Sequence, residues 1–345
     1  MPGSPPRRPK VKDICELSGV SRATVDRVIH NRSGVQNHTR SHVLAVIEEL
    51  TGKHGAGMGR PAQETLPIDF IIPDQGNAFL ADQSRYLADY AKRSDAVSIT
   101  IHRPAAATEG ELAAMLQELS ATTRAVGIVG VDSHKIRELL RGLCRRGIPV
   151  VTLASDIRNV PKANYVGIDN HAGGRLAGYL TGRLLGIAKG KAALILGSRA
   201  YRGHEEREMG FRSVLREMFP GLRIVNELEV QENADRAREA TRALLEQYDD
   251  LDAIYCIGAG QAGIAEALME AGREKSVLFI GHGLSWDTRA YLTDGVMDVV
   301  IDEDAKSEAE TAVDILVSRL KGAAVPSSPT FTINPIFREN LPPES

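Results

Sequence analysis

From Pro67 onward, short apolar runs alternate with longer amphipathic stretches, and this alternation constrains the fold more than any other feature of the chain. Apolar runs at 68–72, 97–101, 125–129, 149–153, 165–168, 192–196, 253–257, 277–280 and 298–301 predict buried strands. Between them, stretches such as 173–185, 205–218, 234–247, 261–270 and 305–320 carry helical periodicity. Repeated βα units predict parallel, doubly wound sheets with helices on both faces. About ten units over some 275 residues exceed one compact sheet, so two α/β lobes are expected. No apolar run approaches the roughly 20 residues needed to span a bilayer. The basic start MPGSPPRRPK lacks the apolar stretch of a secretory signal, and Cys15, Cys144 and Cys256 form no paired framework. A cytoplasmic location without membrane attachment is therefore expected.

The first sixty residues differ from the rest. They hold ten Lys and Arg against five Asp and Glu, or +5, while the remainder carries −8. A small basic module on an acidic body suggests a polyanion-binding head. Val11, Ile14, Cys15 and Leu17 are spaced for one face of a short helix ending at Ser18-Gly19. Ser21 suits the N-cap of a second helix, with Val25, Val28 and Ile29 inward and Arg22, Ala23, Asp26, Arg27 and His30 outward. A third helix opens near Asn37 or Thr39, with Val43, Val46, Ile47 and Leu50 as its apolar stripe. Three short helices with a glycine turn after the first form a helix-turn-helix. Arg22 and Arg27 can both reach a major groove, where arginine pairs bidentately with guanine. Ser21, Thr24 and Thr39 suit phosphate contacts, and Arg40 adds charge.

Residues 11–50 resemble the DNA-binding domain of the LacI-type (lactose/galactose repressor) family. The resemblance rests on the aliphatic-Lys-Asp opening, Gly19-Val20-Ser21, Thr24-Val25, Arg27-Val28, Gly34-Val35 and Thr39-Arg40. It implies base contacts from Arg22, Ala23 and Arg27, and phosphate contacts from Ser21, Thr24 and Thr39. Asp26 and His30 stand where the family usually has Ser and Asn. Asp26 can pair with Arg22 one turn earlier or accept from cytosine, and His30 can donate to a phosphate. The linker 51–66 has four glycines and a proline, without the family's Tyr-x-Pro-Asn start or its hinge leucine.

The body resembles the type I periplasmic-binding-protein fold of the same family. The markers are Tyr165-Val166-Gly167-Ile168-Asp169-Asn170, Arg207 four residues before Phe211, and the terminal Arg338-Glu339-Asn340-Leu341-Pro342. The resemblance implies a head at 1–50, one lobe from 67–168 and 302–330, and a second from 169–301 and 331–345. Three crossovers are expected near 168–170, 301–303 and 330. Ligands of such sheets lie beyond the carboxyl ends of strands. Polar strand ends with few aromatics suit a polyhydroxylated small molecule. Carried over by position, the effector contacts are Asp74, Asn77, Phe79, Asp156, Arg207 and Glu303. Glu303 replaces a frequent Gln, and Gly258-Ala259 stand where many relatives have Asn-Asp.

Ser133 and Asp169 read as helix caps. The run Gly258 to Gly263 fits GxGxxG, but no ribose-binding acid follows at the next strand end, Gly281-His282-Gly283. Its glycines fit close backbone approach or helix packing. His204-Glu205-Glu206 lacks the second helical histidine of a metalloprotease, and no nucleophile elbow occurs. No metal, cofactor or catalytic group is expected. The leading expectation is a ligand-responsive, homodimeric transcriptional repressor of carbohydrate or polyol genes that binds double-stranded operator DNA. The alternative is a sugar-binding or sugar-modifying protein without specific DNA binding.

Overall fold

The computed structural model describes residues 10–29, 35, 39, 42–43, 46–47, 50, 65–73, 76–105, 107–325, 329 and 331–343. His30, Arg40, Asp74 and linker residues 51–64 lie outside the described residues. The chain divides into two units, Met1–Glu64 and Thr65–Ser345.

In the first unit, helices Val11–Ser18 and Arg22–Ile29 are separated by Gly19, whose φ of 65° is the left-handed conformation glycine adopts without strain. Ser21 Oγ accepts from Thr24 N–H at 3.3 Å and caps the second helix. Thr39, His42, Val43, Val46, Ile47 and Leu50 are helical. Ile14, Val25, Val28, Val43 and Val46 form the core, with Val11, Cys15, Val20, Val35, Ile47 and Leu50 packed against it. Two inward assignments are corrected: Leu17 is 55% exposed and Ile29 44%. On the first helix the buried position after Ile14 is Ser18, one full turn on, whose hydroxyl is satisfied by Ile14 O at 2.6 Å.

The second unit holds two sheets. The first consists of strands β1 (Leu66–Ile71), β2 (Val97–His102), β3 (Ala125–Ile128), β4 (Val150–Leu153) and β5 (Asn164–Val166), ordered β2-β1-β3-β4-β5 and parallel throughout. The sheet thus begins at Leu66, inside the stretch read as linker. The second sheet contains β6 (Gly190–Leu196), β7 (Leu222–Glu229), β8 (Ala253–Cys256), β9 (Leu278–His282), β10 (Val299–Asp302) and β11 (Asn334–Ile336). Its order is β11-β10-β9-β8-β6-β7, with β11 antiparallel. Strands β7 and β11 were not expected from the sequence. Both are edge strands, and the half-exposed, charged LRIVNELE of β7 shows no continuous apolar run.

The chain passes between the sheets three times: after β5, after β10, and between Phe331, packed on the first core, and Ile333, packed on the second. Helix Ala305–Leu320 follows a strand of the second sheet yet buries Ala309, Ala312, Val313, Ile315 and Leu316 in the first core. Helix Asn170–Leu185 follows β5 and buries Ala177 in the second.

One helix pair of the second lobe positions residues that face the space between the lobes. Helices Asn170–Leu185 and Arg202–Met218 cross on glycines: a Cβ at Gly174 would lie 1.9 Å from Arg207 O, and one at Gly210 2.1 Å from His171 O. Only bare Cα atoms permit this approach. Gly210→Ala should therefore cost about 1–3 kcal/mol in urea denaturation through overpacking. The control Gly142→Ala, where a Cβ meets nothing closer than 3.9 Å, should gain about 0.5–1 kcal/mol. Equal midpoints for both variants would contradict the tight crossing.

Candidate functional site

The head presents a polar face. Ser21, Arg22, Ala23 and Arg27 are exposed, while Thr24 is half-buried beside Ser21, with the two hydroxyls 3.0 Å apart. Val25 and Val28 are locked in the core, so the register of the helix turns Arg22 and Arg27 outward. Thr39 is half-buried at a helical position.

In the body, the strand ends and crossovers of the two sheets enclose a cavity of about 50 Å³. Its lining includes Asn77, Phe79, Ala154 and Ser155 from the first lobe, and Tyr201, His204, Arg207, Gly258, Gln261, His282 and Glu303 from the second or its crossovers. Four of the expected effector residues, Asn77, Phe79, Arg207 and Glu303, are thus brought together. Asp156 is not. Its carboxylate turns to Thr152 Oγ1 and Lys162 Nζ, both at 2.9 Å, and its neighbour Ser155 faces the cavity instead, accepting from Gly203 N–H at 3.1 Å. A lysine and a hydroxyl within reach draw that carboxylate away from the cavity.

Arg207 is 6% exposed and organises the floor. Its Nε donates to Asn170 Oδ1 at 2.7 Å, one terminal nitrogen to Ile257 O at 3.2 Å, and the other to Glu303 Oε2 at 2.6 Å. Asn170 opens the helix after the first crossover, and Glu303 follows β10 at the second. One guanidinium therefore ties two interlobe connections to the second lobe. Glu303 Oε1 lies 3.3 Å from His282 Nδ1, and His282 Nε2 shares a 2.8 Å hydrogen bond with Tyr255 Oη. With Tyr255 donating, the imidazole proton sits on Nδ1 and faces Glu303.

Burial sets the charge states. Burial would raise the Glu303 carboxyl, but the adjacent Arg207 charge and the His282 contact outweigh it and hold it at about 2. Burial, reinforced by Arg207, lowers His282 to about 4, and burial also depresses His204. Glu308, wholly buried on helix Ala305–Leu320, is raised well above the usual range by burial and by Glu303. It accepts from Gln83 Nε2 at 2.7 Å. The cavity lining thus contains the Arg207–Glu303 ion pair and two neutral imidazoles, with the neutral Glu308 carboxyl buried outside the lining.

Sequence reasoning missed Glu232. It follows β7, the strand the pattern did not show, and both Gln231 and Glu232 have positive φ. Its Oε2 accepts from Asn77 Nδ2 across the cleft and from Ala259 N–H, each at 3.0 Å. A Cβ at Gly258 would lie 2.6 Å from Glu232 Oε1, and one at Gly197 1.4 Å. Gly197, and Gly258 of the Gly258-Ala259 pair that stands where many relatives have Asn-Asp, leave the space this carboxylate fills. Farther along the glycine run, Gly260 takes a φ of 116°, and a Cβ at Gly263 would lie 1.9 Å from Ala234 O. These glycines serve a turn and helix-on-helix packing.

A helix-turn-helix with outward arginines, on the same chain as a two-lobed binding cleft, defines a ligand-responsive DNA-binding transcriptional regulator. Residues 10–51 match the bacterial regulatory proteins of the lacI family, and residues 68–324 match the periplasmic binding protein domain. The chain belongs to the LacI family and carries a periplasmic-binding-protein body. It is 24% identical to the HTH-type transcriptional regulator DegA of Bacillus subtilis (strain 168), over 77% of each chain. It is 26% identical to the ribose operon repressor of Halalkalibacterium halodurans, over 83% of this chain and 80% of the relative. Among solved structures, a glucose-galactose binding protein from Geobacillus stearothermophilus superposes with a TM-score of 0.74 at 23% identity, covering 81% of this chain and 99% of that one. A solute binding protein from Burkholderia graminis, in complex with D-arabinose, gives 0.76 at 20%, covering 82% and 98%. Among the described residues, no helix is long and apolar enough to cross a membrane.

The two buried groups His282 and Glu308 make opposite pH predictions. His282 is neutral when folded but takes a proton below pH 6.5 when unfolded, so its contribution is complete above 6.5 and is lost as pH falls toward 4. The full loss is about 3 kcal/mol. Glu308 stays protonated when folded, whereas the unfolded carboxyl ionises above 4.5, so its contribution declines as pH rises. Denaturant titrations across this range should show that His282→Gln removes acid-side loss. Glu308→Gln should gain on the parent chain with increasing pH. Parallel pH profiles for all three proteins would contradict the assigned charge states.

Proposed function

We propose that this regulator is a cytoplasmic homodimeric repressor of carbohydrate or polyol genes, released or engaged by a sugar, a polyol or a derivative in the cleft. The observation that carries the reading is the tie made by Arg207: the groups that face the ligand space are the same groups that hold the interlobe crossovers. A cavity of about 50 Å³ has room for a few waters and too little for a sugar ring. On this reading ligand entry moves the lobes apart, and the Arg207 bonds to Asn170 and Glu303 at the crossovers respond to that motion. A ligand that binds one lobe arrangement better than the other shifts their populations. The ribose operon repressor among the relatives and the sugar-binding proteins among the structural neighbours support a sugar-sized effector.

Effector contacts are assigned to Asn77, Phe79, Arg207, Glu303, Glu232 and His282, with Asp74 added from the family resemblance. Hydroxyl-rich ligands suit this set, since Glu232 and Glu303 accept while Asn77 and Arg207 donate. In the head, Arg22, Ala23 and Arg27 are assigned to base edges. Ser21, Thr24, Thr39, His30 and Arg40 are assigned to phosphates. Two such heads in a dimer would read inverted half-sites one helical turn apart, about 34–36 Å.

Selection from a pool of random duplexes with the purified chain tests the reading. It should enrich an inverted repeat with half-sites about 10 bp apart. Arg27→Ala should weaken binding to the selected duplex by about 1–3 kcal/mol and relax preference at one base pair. Failure to enrich any sequence would overturn the operator reading. A thermal-shift panel of neutral sugars and polyols should contain at least one member that raises the melting temperature of the parent chain. The same member should leave Arg207→Ala unmoved. An equal shift in that variant would remove Arg207 from the binding site.

A further inference from the structure

The first lobe carries a second constellation at the end of its sheet opposite the cleft. Arg124 precedes β3, Arg146 precedes β4, and Lys162 precedes β5, so all three stand where parallel strands begin. The cleft residues Asn77, Ala154 and Ser155 stand beyond strand ends. Arg124 N–H bonds to Pro67 O at 2.9 Å, which places it level with the start of β1, the strand that the linker enters. Together with Arg319, these residues line a groove of about 770 Å³ whose lining contains no Asp or Glu.

Arg124, Arg146 and Arg319 are exposed and make no side-chain hydrogen bond or ion pair among the described residues. Lys162 is matched by Asp156 at 2.9 Å. Elsewhere on the body, Arg85, Arg199, Arg141 and Arg175 find carboxylates, whereas among the described residues the exposed Arg145, Arg183, Arg216, Arg223, Arg236 and Arg242 do not. What sets the groove apart is therefore the convergence of three such arginines on one acid-free lining. Arg146 caps helix His134–Arg145, and Arg319 lies in the last turn of helix Ala305–Leu320. Cations are favoured at both places by the helix dipole. That preference does not account for Arg124, which precedes a strand, nor for an acid-free groove on a body of net charge −8.

We propose that this groove binds the phosphodiester backbone of duplex DNA and adds sequence-independent affinity to the specific contacts of the head. The proposal rests on the reading of the head as a DNA reader. Three uncompensated guanidiniums meet the chemistry of phosphate recognition, and the covalent connection to the head arrives at this edge of the sheet. Contacts of this kind release condensed counterions, so they show in the salt dependence of binding.

The test uses the full-length chain and an arbitrary 40-bp duplex, a length of roughly four helical turns, followed by fluorescence anisotropy. Salt is varied from about 50 to 200 mM. The variant Arg124→Gln/Arg146→Gln/Arg319→Gln should lose about two to three units of slope in log affinity against log salt, and about tenfold or more in affinity. Arg22→Ala/Arg27→Ala in parallel measures the head's share. The triple Arg→Lys variant should retain most of the slope, because the slope counts charges. A Gln triple with the parent slope and affinity overturns the groove while leaving the head reading intact. A Lys triple as weak as the Gln triple also overturns it, since the loss would then not follow charge. A parent chain that binds no duplex overturns the head reading, and the groove proposal with it.

Discussion

The body depends on one buried guanidinium. Arg207 sits on a helix of the second lobe, yet its three donor directions end on the first crossover, the second crossover and a strand-end carbonyl. Removing one partner of such a buried pair typically costs about 3–5 kcal/mol, because the remaining charge is stranded. Changing the residue therefore disturbs folding as well as recognition. Its placement follows from glycines at the crossing of its helix with Asn170–Leu185, which bring Arg207 and Asn170 within one hydrogen bond.

That arrangement explains why the charged residues of the cleft do not repel one another. Glu303 is ionised because Arg207 is there, and His282 is neutral because of its burial, reinforced by the same Arg207 charge. Burial first, and then the nearby Glu303 charge, disfavour a second buried negative charge on Glu308, so it keeps its proton. Glu232 lacks a full set of partners: its Oε1 has no hydrogen bond among the described residues, and the neutral imidazole of His204 stands 3.7 Å away at Nδ1. That oxygen is sealed against Gly197 and Gly258, so a ligand hydroxyl could satisfy it only if the carboxylate turned toward the cavity.

Much of this was legible in the sequence. Buried parallel strands are continuous apolar runs, so the inner strands of both sheets stood out, as did Ser133 and Asp169, whose side chains cap helices by accepting from Ile136 and Ala172 N–H. The edge strand β7 alternates charged and apolar residues over half-exposed backbone and escaped notice, and Glu232 was lost with it. Two successive left-handed residues, neither of them glycine, then turn Glu232 into the cleft, a conformation that no local signal advertises. Asp156 failed for a different reason: a position can be inherited from a family while its side chain is captured by a lysine six residues on, and only three-dimensional proximity reveals that. Leu17 and Ile29 were assigned inward by spacing alone, although three short helices cannot cover every apolar side chain on their faces.

On the proposed reading, cleft and head communicate because a ligand in the cleft has different free energies in two lobe arrangements. Such coupling is reciprocal by thermodynamic necessity: the factor by which ligand changes DNA affinity equals the factor by which DNA changes ligand affinity. The decisive measurement is a pair of calorimetric titrations of the stabilising sugar into the full-length chain, with and without a saturating amount of its selected duplex. Sugar affinity should differ between the two by about fivefold or more, with the matching factor in duplex affinity when the order is reversed. Identical sugar affinities with and without duplex would contradict the coupling.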